Sequence, residues 1–138
     1  MAEDGLRISD RELFYSAMMM RLDRLVNVEY SFPADQKRMA AEMEDVKRGL
    51  NRKKLLRENS KGELAMDLAL TTCVAYCARP ETCSIYEADG VYATVYGAAG
   101  AFMVLERTGA GENIAAWFGS EADVNEYLLR TGGRKGAS

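Results

Sequence analysis

The chain has 138 residues, 48% of them apolar and 28% charged, the make-up of one globular domain rather than of a disordered segment. A net charge of −3 gives no global attraction to nucleic acid or an anionic membrane, and no apolar run approaches the roughly 20 residues that span a bilayer. Histidine is absent, which removes the commonest general base and metal ligand near neutral pH. Met1-Ala2-Glu3-Asp4-Gly5 is acidic and lacks the features of a signal peptide, so the expectation is a cytoplasmic protein with reduced cysteines.

Leu6-Arg7-Ile8 reads as a short strand or an extended lead-in. Ser9-Asp10-Arg11-Glu12 matches a capping box and starts a helix running to about Arg24. Leu25 to Phe32 alternates only partly, as a strand or an ordered loop. Pro33-Ala34-Asp35 opens a second helix carrying Met39, Met43, Val46 and Leu50 at helical spacing, with Gly49 as its terminator. Leu55 and Leu56 suit a short strand, and Lys61-Gly62 a turn. A third helix over about Glu63 to Ala78 presents Leu64, Leu68, Thr71 or Thr72, and Ala75 along one stripe, stopped by Pro80.

Beyond Pro80 the period becomes two. Strands are expected at Thr82–Ala88, Val91–Gly97, Ala101–Arg107 and Asn113–Phe118, with a hairpin turn at Ala88-Asp89-Gly90. Ser120 caps a last helix that stops at Thr131-Gly132-Gly133. The prediction is an α+β fold: an antiparallel β-meander of about four strands packed with N-terminal helices and a C-terminal helix. It forms a single domain over residues 1–132 with a flexible tail at 133–138.

Chemistry-bearing clusters are sparse. Cys73, Cys77 and Cys83 have no histidine to complete a tetrahedral metal site, and Cys73 and Cys77, one helical turn apart, suit small core positions. No catalytic residues, metal site or cofactor are therefore assigned. A weaker alternative makes Cys83 a nucleophile. Met18-Met19-Met20 cannot all face a core. The Gly-rich pieces Gly97-Ala98-Ala99-Gly100 and Thr108-Gly109-Ala110-Gly111 lack the Lys-Ser/Thr of a phosphate loop.

Two surfaces remain. On the second strand of the meander Tyr92, Thr94 and Tyr96 share one face, which Tyr86 on the neighbouring strand is expected to join. Tyrosine is enriched at interfaces, because it buries area yet tolerates water. With Asn113 in the flanking loop these residues make the candidate partner-binding site. The other surface is a basic elbow, where Lys47, Arg48, Arg52, Lys53, Lys54 and Arg57 put six cations into eleven residues. It reads as a solvated turn, a dock for an acidic partner or, with the helix before it and the Lys61-Gly62 turn after it, the third helix and wing of a winged-helix DNA-binding regulator, although Glu42, Glu44 and Asp45 on the same helix would repel phosphate, so nucleic acid is the less favoured partner.

The opening Leu6-x-Ile8-Ser9-Asp10-Arg11-Glu12-Leu13, the Val46-Lys47-Arg48-Gly49-Leu50 segment, Gly62-Glu63-Leu64 before an apolar helix, the meander with Gly90 at its turn and the closing helix together resemble the EspG-like chaperones of type VII secretion systems and their shorter Gram-positive relatives. The resemblance implies a cytosolic, non-enzymatic chaperone or adaptor holding a secreted helical-hairpin protein. Mycobacterial members look like two related halves, so it also implies that two copies of this shorter chain pair as a homodimer.

Overall fold

The computed structural model describes residues 5–136. The fold is α+β, with four helices and a five-stranded antiparallel sheet. The chain forms two compact units. One joins the segment ending at Ser9 to the segment beginning at Arg79, and the other spans Asp10–Ala78.

The Asp10–Ala78 unit contains helix α1 (Asp10–Met19), helix α2 (Gln36–Arg52), a hairpin of β2 (Leu56–Glu58) and β3 (Leu64–Met66), and helix α3 (Leu68–Ala78). The first two helices end earlier and later than expected, respectively, for one reason. Leu22 N–H bonds to Ala17 C=O at 2.8 Å and Arg21 N–H to Met18 C=O at 3.0 Å, with Arg21 at φ 60°. Leu55 N–H to Leu50 C=O at 2.9 Å and Lys54 N–H to Asn51 C=O at 3.0 Å repeat the pattern, with Lys54 at φ 63°. These are Schellman caps with a non-glycine residue in the left-handed position. α1 therefore stops before Arg24, and α2 runs past Gly49.

Gly49 has a different task. A Cβ there would lie 3.3 Å from Glu12 Oε2, so the missing side chain lets α1 and α2 approach at the buried Glu12. Lys53 Nζ, one turn beyond Gly49, donates to Glu12 Oε1 at 2.6 Å. Residues 20–35 form an ordered loop, tied by Val26 N–H to Cys77 C=O at 2.7 Å and burying Leu25 and Val28.

The expected third helix is divided. Its first residues pair with β2 as β3, across a turn in which Asn59 Oδ1 accepts from the N–H groups of Lys61 and Glu63. Asp67 Oδ2 then accepts from Ala69 N–H at 3.0 Å at the start of α3. The buried stripe is Leu70, Cys73, Val74 and Cys77, while Leu68, expected on it, is 78% exposed.

The other unit is a five-stranded sheet ordered β1 (Leu6–Ser9), β7 (Glu112–Phe118), β6 (Ala101–Gly109), β5 (Val91–Ala98), β4 (Thr82–Ala88), all pairs antiparallel. Positive φ at Asp89 (54°) and Gly90 (78°) makes the β4–β5 connection a two-residue type I′ turn, whose twist matches that of the strands. Helix α4 (Glu121–Gly136) is capped by Ser120 Oγ, which accepts from Asp123 N–H at 3.2 Å, and it continues through the predicted stop at Gly132-Gly133. Of the expected tail, residues 133–136 are helical and residues 137–138 lie outside the described range.

α4 packs across β5, β6 and β7, where Val124, Tyr127 and Leu128 meet Ala93 and Val104. Burying each such aliphatic or aromatic side chain contributes roughly 1.5–3 kcal/mol. Tyr127 O–H donates to the buried carboxylate of Glu106 at 2.9 Å, so the one polar end of this side chain is satisfied inside the core.

Candidate partner-binding site

β4 is the last strand of its sheet, and α4 lies over β5 to β7, so the chain leaves a step beside the helix. Every β4 residue is exposed except the half-buried Tyr86. The step is a trough of about 520 Å³ with Ser84, Tyr86, Val95 and Phe102 in its floor and Val124, Asn125 and Leu128 along its wall. Gly97 keeps it open: a Cβ there would run into Thr82 Oγ1 and sit 3.2 Å from the Phe102 ring. Glu81 and Glu121 also line it, so among the described residues the trough carries acidic groups and no cation.

Directly opposed residues of an antiparallel pair share a face. Tyr92, Thr94 and Tyr96 oppose Glu87, Ile85 and Cys83, and they do lie together on one face. Tyr86 opposes Ala93 and packs on the α4 side, so it does not join that face. Tyr96 is 0%, Thr94 2% and Asn113 3% exposed. Asn113 Nδ2 donates to Ile8 C=O at 3.1 Å, which ties β7 to β1. Of the five predicted partner-binding residues, only Tyr86 lines the trough. Tyr92 is half-buried.

The basic elbow is laced with carboxylates. Lys47 Nζ is 3.9 Å from Glu58, Arg48 Nη2 3.6 Å from Asp45, and Lys53 Nζ 2.6 Å from Glu12. Arg11 Nη2 donates to Asp45 Oδ2 at 2.6 Å, and that hydrogen bond, with the guanidinium charge, holds the Asp45 carboxyl below its usual range. Among the described residues no carboxylate lies within 4.0 Å of Arg52, Lys54 or Arg57, but Arg52 shares a groove of about 380 Å³ with Glu44 and Glu58 as well as Lys47 and Arg48. The hairpin expected of a wing is present as β2–β3.

Cys73 and Cys77 are buried on α3, and the hydrogen bond that the Cys73 S–H donates to Cys77, together with burial, pushes the Cys73 thiol well above its usual pKa. A thiol in that setting is a poor nucleophile. Cys83 is exposed on β4. No group of three or more potential metal-ligating side chains occurs among the described residues, and none of their helices is long and apolar enough to cross a membrane.

Comparison with protein-family models, with curated proteins and with solved structures finds no match.

Proposed function

We propose that the protein is a non-enzymatic chaperone or adaptor that holds a helical segment of another protein in the trough beside α4, with a secreted helical hairpin of a type VII secretion system as the substrate class. The observation that carries this reading is the open step between α4 and β4. A helix laid there would lie alongside α4 and cover Tyr86, Val95 and Phe102, apolar surface that the chain's own elements leave half-buried. An apolar stripe on the incoming helix satisfies the floor, and a basic residue at its border meets Glu81 or Glu121.

The test is affinity capture of the tagged chain from its own cytosol, with protein identification, alongside a Ser84→Arg/Asn125→Arg variant. Both positions are exposed, so the variant fills the trough without disturbing the core. The expected result is recovery of a small helical protein by the wild type and at least about tenfold less by the variant, equivalent to about 1.4 kcal/mol of binding. Equal recovery by both would move the binding surface elsewhere. The DNA-binding alternative is weakened by the carboxylates among the elbow's cations, which reduce its attraction for phosphate.

A further inference from the structure

We infer that β4 is a self-association edge: two copies of this chain pair antiparallel through Thr82–Ala88 about a two-fold axis at Ile85, so that the trough is completed by the second copy. β4 is the outermost strand, seven residues long, and its pairing with β5 runs from Thr82 to Ala88 without a bulge. Exposed edges of this length are usually blunted by lysine, proline, a bulge or a covering segment. β4 has no lysine, no proline and one charge, Glu87. The opposite edge is β1, only four residues long and bearing Arg7. The two edges of one sheet are thus guarded differently.

The strand's geometry and sequence select the partner and the register. In a two-residue type I′ hairpin the residues flanking the turn, here Ala88 and Val91, form a hydrogen-bonded pair. Alternation then aims the backbone groups of Thr82, Ser84 and Tyr86 at β5 and those of Ile85 and Glu87 outward. Ile85, 58% exposed, is the only large exposed hydrophobe on the sheet among the described residues. A two-fold at Ile85 sets Ile85 against its copy, a favourable β-branched cross-strand pair, and Ser84 against Tyr86. Glu87 falls opposite Cys83. Moving the axis to Tyr86 would set Ile85 against Glu87, and moving it to Glu87 would oppose two carboxylates. The edge is therefore self-complementary in this register, and the hydrogen-bonded pair of Ile85 with its copy would add two main-chain bonds.

Such a two-fold is perpendicular to the sheet and keeps both α4 helices on one side. Because α4 spans β5 to β7, it is centred on β6, five strand spacings from its copy, or about 24 Å. Subtracting one helix diameter leaves about 14 Å, room for one helix between two walls, over a floor formed by Ser84 and Tyr86 of both copies. This last step rests on the proposed function; the pairing itself does not.

Sedimentation velocity on the full chain, from about 1 to 100 μM, tests the pairing, together with Ile85→Lys and with cysteine variants in a Cys83→Ser background. The expected result is a wild-type dimer that becomes a folded monomer in Ile85→Lys, the substituted side chain being exposed. Ile85→Cys, whose Cα atoms would sit about 5.5 Å apart, should form an intermolecular disulfide under mild oxidant. Asn125→Cys, on the α4 wall far from the axis, should not. The cross-link remains decisive if Ile85→Lys fails to fold. A wild-type monomer throughout, a dimer that persists in a folded Ile85→Lys, or equal cross-linking at Asn125→Cys would overturn the pairing. A confirmed dimer that captures no helical protein would remove the proposed function and leave the pairing intact, and a monomer that captures one would do the reverse.

Discussion

In the Asp10–Ala78 unit several charged groups answer one another: Arg11 bonds to Asp45, Lys47 approaches Glu58, and Lys53 closes over the buried Glu12. In the sheet unit the edge strand β4 carries the exposed Ile85 and the half-buried Tyr86, and a trough lies at its side. Where cations are paired with carboxylates, as at Lys47, Arg48 and Lys53, less charge is left to attract a ligand. A surface with half-buried aromatics and an unguarded strand edge has much to gain from being covered. This contrast is why the proposed binding surface is put at β4 rather than at the more conspicuous basic elbow.

Three substitutions sharpen that contrast. The largest effect is expected from Tyr96→Ser, which removes a fully buried ring from the centre of β5 and should cost about 3–5 kcal/mol in urea unfolding. Tyr92→Ser, at a half-buried position, should cost less than half as much. If the two cost the same, the face carrying them is not closed at Tyr96. Next, Lys53→Ala leaves the buried Glu12 carboxylate without its 2.6 Å donor and should cost roughly 1–3 kcal/mol by the same measurement. A neutral result would mean that the charge lacing is only a surface feature.

The smallest effect is pH-dependent. Asp45's folded pKa lies below its unfolded one because of Arg11, so the pair's contribution is present above the usual carboxylate pKa and lost as pH falls through the lowered value. Melting curves of wild type and Arg11→Met should therefore differ at neutral pH and converge in acid. Parallel curves throughout would show that the Arg11–Asp45 bond does not couple to folding.

Much of the architecture was legible in the sequence, for identifiable reasons. Asp89-Gly90 supports a turn needing two positive φ angles, and Pro80 and the period-two runs beyond it mark the strands of the meander. Helix ends were less legible, because Arg21 and Lys54 take the left-handed positions that glycine usually fills, while Gly49 serves the close approach at Glu12. β3 was hidden because Leu64–Met66 fits a helical stripe as well as a strand, and its partner β2 lies across a turn.

At the site, the shared face of Tyr92, Thr94 and Tyr96 followed from parity, but their burial depends on tertiary packing that no local pattern carries. Tyr86 could have been placed. The two-residue turn sets it opposite Ala93, and therefore on the helix-covered side. The trough had no local signal, because it arises from where α4 stops short of the last strand.

The most direct test of the β4 assignment is amide hydrogen exchange on the full chain with and without its captured helical protein. The expected result is new protection in Thr82–Ala88, around Gly97 to Phe102 and in the first turns of α4, with the α2–β2–β3 region unchanged. Protection confined to residues 44–64, with β4 exchanging as before, would contradict it and return the binding surface to the basic elbow.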